Sequence, residues 1–128
     1  MVAITEKKKF EDIISNLNPK EKIALITCNT CTRMFNTGGL EVLDEYAEKL
    51  KSESFKVTDR VVLTAACFED YIKGASITKK STTAIVFACD SGYGMVKRNL
   101  PNKNVLCGLK TLGVQQGRNP KPVVLLEV

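Results

Sequence analysis

Apolar positions along this chain alternate between two spacings. From Glu6 to Leu17, the residues Phe10, Ile13, Ile14 and Leu17 recur at intervals of three and four, one stripe of a helix. Asn18-Pro19 ends it, because proline pushes the residue before it out of helical geometry. Lys22 to Thr27 is apolar on both faces, the pattern of a strand inside a parallel sheet covered by helices. Leu40, Leu43, Tyr46, Ala47 and Leu50 return to helical spacing. Glu41, Asp44 and Glu45 lie toward the positive end of that helix dipole, Lys49 and Lys51 toward the other.

The alternation continues. Phe55 to Leu63 reads as a second strand, irregular around Thr58-Asp59, and Phe68 to Lys73 as a short helix closed by Gly74. Lys79 to Thr83 is polar linker, and Ala84 to Ala88 is a third buried strand. Asp90 to Gly94 reads as a glycine-bearing loop, with one or two helical turns from Met95 to Leu100. Asn104 to Leu106 is a fourth short strand, Gly113 to Pro122 a loop, and Val123 to Val128 an edge strand with Pro122 just outside it. Strand and helix in turn predict a single-domain three-layer α/β sandwich with a mostly parallel sheet, Rossmann-like or flavodoxin-like. Residues 1–18 form its N-terminal helix, 22–113 its core and 114–128 its tail.

The length of 128 residues suits one domain, and 44% hydrophobic content supplies a core. No apolar run approaches the ~20 residues of a membrane-spanning helix. Lys7-Lys8-Lys9 is followed by no long apolar segment, so a secretory signal is not expected and the expected compartment is the cytoplasm. The net charge of +5 is spread over scattered lysines, aromatic content is 6% and Trp is absent. No stacking platform for nucleic acid is visible, and solvated surface lysines account for the charge.

Five cysteines and no histidine change the picture. In a cytosolic chain such cysteines point to metal or redox chemistry, and without His a Cys–His nucleophile is impossible. Cys28, Cys67, Cys89 and Cys107 each fall at or just past the end of a predicted strand, and Cys31 follows Cys28 by one turn. In a parallel sheet those ends share one edge, where ligands bind. Four thiolates suit Zn2+ or a [4Fe–4S] cluster, and Cys-x-x-Cys spacing serves both. A buried cysteine is also an ordinary core residue. Gly38-Gly39 opens the helix after the first strand, either as a tight turn or as a cradle of N–H groups for an anionic ligand.

The ordered set resembles a known family. Cys28-x-x-Cys31 with Thr37-Gly38-Gly39, then Cys67, then Ala88-Cys89-x-x-Gly92, then Leu109-Lys110-Thr111-Leu112-Gly113, looks like MetV. MetV is the small partner subunit of the methylenetetrahydrofolate reductase of acetogenic and related anaerobic microbes. The likeness spans about Lys22 to Gly113. It implies a non-catalytic accessory subunit that binds the flavin-containing TIM-barrel reductase and supports electron delivery or complex stability. By position it implies Cys28, Cys31, Cys67 and Cys89 as metal ligands, with Cys107 outside the set. Phe35 stands where the family often has a further cysteine, and larger members continue into a cysteine-rich, ferredoxin-like tail beyond the point matched by Val128. A single centre is therefore expected here rather than a wire of clusters.

Two rivals follow from the residues themselves. One is a stand-alone thiol-redox or sulfur-transfer protein, with Cys28 attacking and Cys31 resolving. The other is a nucleotide or small-ligand domain using Gly38-Gly39 and residues 90–94, although the glycine spacing matches no phosphate-loop pattern.

Overall fold

The computed structural model describes residues 2–77, 79–115 and 122–123. In chain order the elements are β1 (Val2–Lys7), α1 (Phe10–Ile14), β2 (Lys22–Cys28), α2 (Cys31–Met34) and α3 (Leu40–Ser52). There follow β3 (Lys56–Leu63), α4 (Glu69–Lys73), β4 (Thr83–Phe87), α5 (Asp90–Asn99), β5 (Asn104–Cys107), β6 (Leu109–Gln115) and β7 (Pro122–Val123).

Four parallel strands form the central sheet in the order β3-β2-β4-β5. Its two faces are covered differently, and strand alternation decides which residue meets which layer. Ile23, Leu25, Ile85 and Phe87 point to the face carrying α1 and α3, where Leu43, Tyr46, Ala47 and Leu50 are buried. Ala24, Ile26, Cys28, Ala84 and Val86 point to the other face, under Ile72 of α4 and Val96 of α5. Tyr46 stands edge-on to both Phe87 (4.8 Å) and Phe10 (5.0 Å), which ties α1 and α3 to the sheet. The three-layer α/β expectation holds, and the strand order is the flavodoxin-like one.

Several details differ from the sequence reading. The helix expected over Glu6–Leu17 is only α1, Phe10–Ile14, and residues 2–7 are strand. The cause is tertiary: β1 pairs antiparallel with β6, so the start of the chain joins a second, three-stranded sheet, β1-β6-β7. Residues 90–94 are the first half of α5 rather than a loop. Gly92 is there for packing, since a Cβ would lie 2.9 Å from Ala88 Cβ and 3.0 Å from Ala66 Cβ. Gly113 is inside β6, and Pro122 is the first residue of β7 rather than just outside it. The expected edge strand beyond Val123 lies outside the described residues. The irregularity near Thr58-Asp59 is present as a slip in register, with Ile23 opposite Val57 and Ala24 opposite Asp59.

Candidate thiol centre

Consecutive strands of the central sheet leave in opposite directions at one place. The β2–β3 connection carries α3 on one face, and the β4–β5 connection carries α5 on the other. The ends of β2 and β4 therefore flank the topological switch point, where a doubly wound sheet has its crevice. Cys28 ends β2, Cys31 begins α2, and Cys89 immediately precedes α5.

Local hydrogen bonds fix this loop. Asn29 N–H donates to Leu63 O (2.8 Å) and the Thr30 hydroxyl to Thr64 O, so the end of β2 is stitched to the end of β3. The Thr32 hydroxyl donates back to Cys28 O, which closes the turn between the two cysteines. Thr27 is buried and accepts the Gly39 N–H at 2.9 Å. The Thr5 and Thr37 hydroxyls meet at 2.6 Å and tie the loop to β1.

Gly38 and Gly39 have specific reasons to be glycine. A Cβ on Gly38 would lie 2.6 Å from Thr27 Oγ1 and from Thr32 Cβ, and Gly39 has φ +98°. Their N–H groups are engaged internally, Gly38 with Thr32 O and Gly39 with Thr27 Oγ1. Close packing and turn geometry account for both residues, and neither offers an anionic ligand a free N–H.

The thiols occupy distinct environments. Cys28 is 7% exposed, and its Sγ accepts the Ala66 N–H at 3.4 Å. Cys31 and Cys89 are half-buried and Cys67 is exposed, and all five cysteines are free thiols. Burial pushes the Cys89 thiol up from its ordinary pKa. N–H groups of Gly92 and Ser91, aimed at its sulfur from the first turn of α5, oppose that rise. Charge on the neighbouring thiols Cys31 and Cys28 adds to the rise as the smallest contributions.

Small residues bring the fourth thiol to this edge. Ala66, Ala88 and Gly92 pack against one another, which seats the loop after β3 on the start of α5 and points Ala66 N–H at Cys28. Cys67 is the next residue, with its side chain in solvent. Cys28, Cys31 and Cys89 thus stand at one edge of the sheet, and the exposed Cys67 follows the residue whose N–H meets Cys28 Sγ. Among the described residues, no group of three or more Cys, Asp or Glu side chains is positioned as placed to hold a metal ion. The donor chemistry suits a thiophilic metal, and a complete four-thiolate shell requires the Cys67 side chain to turn inward.

Cys107 ends β5, with its sulfur 3.1 Å from Leu109 O, beside the crevice rather than in it. The supporting groups, Ala66 N–H, the Ser91 and Gly92 N–H groups and the Thr27 and Thr32 hydroxyls, were not read from the sequence. The clustering of small residues as Ala65-Ala66-Cys67 and Ala88-Cys89 was the available signal. No family model, no curated protein and no solved structure matches the chain.

Proposed function

We propose that this chain is a non-catalytic metal-binding accessory module in which Cys28, Cys31, Cys67 and Cys89 hold a [4Fe–4S] cluster or Zn2+. A cluster supplies one-electron transfer, whereas zinc braces the loops. The observation that supports the reading is the placement of Cys28, Cys31 and Cys89 at the ends of adjacent strands β2 and β4, with Cys67 one residue beyond the N–H bonded to Cys28 Sγ. Backbone N–H groups of Ser91 and Gly92 face the Cys89 sulfur, and that of Ala66 faces Cys28 Sγ, so both sulfurs have donors beside them.

The partner in this proposal is a flavin-containing methylenetetrahydrofolate reductase-type catalytic subunit, on the strength of the MetV-like motif order. The surface beside the thiols supports a protein partner. Phe68, next to Cys67, is 63% exposed, and Met34, three residues after Cys31, is 61% exposed. The proposed setting is the cytoplasm, and no helix among the described residues is long and apolar enough to cross a membrane.

Anaerobic purification with metal and acid-labile sulfide analysis and a visible absorption spectrum tests the centre. Stoichiometric zinc, or iron with sulfide, is expected, and it is lost in Cys28→Ser and Cys89→Ser. Protein holding neither metal overturns the proposal. Co-elution with the flavin subunit on size exclusion tests the partner separately. The rival thiol-redox reading requires Cys28 to attack, and its burial withholds it from substrates. Metal-free protein with a rapidly alkylated Cys28 would restore that reading.

A further inference from the structure

A second site adjoins the thiol edge and none of the chemistry above uses it. A cavity of about 610 Å³ opens where the start of α5, the end of β5, β6 and α1 come together. That volume falls within the range of small-molecule sites, roughly 300–1,000 Å³. Its apolar lining comes from Ile13, Tyr93, Leu106 and Leu109. The Tyr93 ring is fixed by a hydrogen bond from its hydroxyl to Val105 O (3.1 Å).

Charges of both signs line it. Lys8 and Lys110 belong to the β1–β6 side, where Lys8 N–H donates to Gly108 O and Lys110 stands opposite Glu6 in the ladder. Residues two apart along a strand share a face, so Lys8 continues the face of β1 on which Glu6 stands opposite Lys110. Asp12 on α1 and Asp90 at the start of α5 form the other polar walls. None of these four charges has an ion-pair partner among the described residues, although the lysines and aspartates line one cavity. Both signs are therefore available to an occupant that bridges them.

We infer that this cavity binds a small molecule with an apolar or aromatic body, an anionic group facing Lys8 and Lys110, and a cationic amino group facing Asp12 and Asp90. Cys107 lines the same cavity and reports on its occupancy. The site borders the proposed metal centre through Asp90, which follows Cys89, but none of the proposed metal ligands lines it.

The probe is 4-(aminomethyl)benzoate, with its carboxylate and ammonium at opposite ends of a ring. Benzoate and benzylamine carry one charge each. Alkylation of Cys107 in the full chain by N-ethylmaleimide is followed by peptide mass spectrometry, with saturation-transfer NMR on the probe protons. The two-charge probe is expected to slow Cys107 alkylation at concentrations about tenfold below those at which either one-charge control does so. Asp12→Asn, at an exposed position, and Lys110→Ala, at a half-buried one, are expected to abolish that advantage, with urea unfolding confirming that both variants fold. Equal protection by all three compounds, no protection by any, or protection that survives both variants overturns the inference. A Cys107 that never reacts in the native protein shows the cavity closed and overturns it as well.

Discussion

The two ends of the parallel sheet are built by opposite rules. At the end where the strands begin, polar groups find partners. Glu21 accepts hydrogen bonds from the Thr82 and Thr83 hydroxyls, Lys22 N–H donates to Thr82 Oγ1 at 3.0 Å, and the Lys103 ammonium reaches both Ser81 O and Ser81 Oγ at 2.6 Å. At the end where the strands finish stand the free thiols, exposed large apolar side chains, and four charges without ion pairs among the described residues. Satisfied polar networks specify and hold a fold. Groups left available are those a ligand or partner can use. The contrast separates an edge stitched by polar partners from the edge on which the proposed site lies.

The largest effect that would break the contrast is expected at Gly38, where the thiol-bearing edge is itself tightly packed. Gly38→Ala drives a methyl group into Thr27 and Thr32, and a loss of about 3 kcal/mol in urea unfolding is expected. Unchanged stability would show that the loop adjusts freely. Gly92→Ala comes next, with an expected cost of about 1–2 kcal/mol, because its new Cβ meets Ala66 and Ala88. On the proposed metal reading, metal content should fall with it, since Ala66, which packs on Gly92, carries the N–H that meets Cys28 and precedes Cys67. Full metal occupancy in this variant would separate the packing from the site.

A third effect depends on pH and sharpens the comparison. Burial pushes the Cys107 thiol up, with the Leu109 N–H and the Lys8 charge opposing and Asp90 adding to the rise. The folded state therefore holds that proton more tightly than the unfolded chain does. Its contribution is complete below the ordinary thiol pKa of about 8.5 and is lost as pH rises through the raised folded value. Metal-free protein should lose stability to urea across that window, and Cys107→Ser should flatten the decline. An identical slope in the variant would assign the loss to other groups. At the stitched edge the sign reverses. Hydrogen bonds from Thr82 and Thr83 lower the Glu21 pKa. Its contribution is present above the ordinary carboxylate value of about 4.3 and is lost as pH falls through the lowered one. Glu21→Gln is the smallest change, below about 1 kcal/mol near neutral pH, with no effect on metal content. A metal loss there would mean that the two edges are coupled.

Local pattern was enough where one element decides its own state. The apolar runs of β2 and β4 and the stripe of α3 declared themselves, because burial on both faces or along one stripe leaves a periodic record. The placement of Cys28 and Cys89 at strand ends was legible for the same reason. β1 was not, because Val2–Lys7 becomes strand only through pairing with β6, more than a hundred residues away. Gly92 misled because glycine was read as a breaker of local structure, when its use is to let Ala66 approach α5.

By itself the sequence determined an α/β sandwich and a set of cysteines aligned with the ends of its strands, since periodicity and position along the chain are local properties. Only the tertiary structure decided the strand order, and with it that the crevice lies between β2 and β4. It also decided that Cys28 faces Ala66 and α5, that Cys67 is exposed, and that a charged cavity opens beside Cys107. Those facts depend on which surfaces meet, and side chains of one chemical type can meet in many ways until packing selects one.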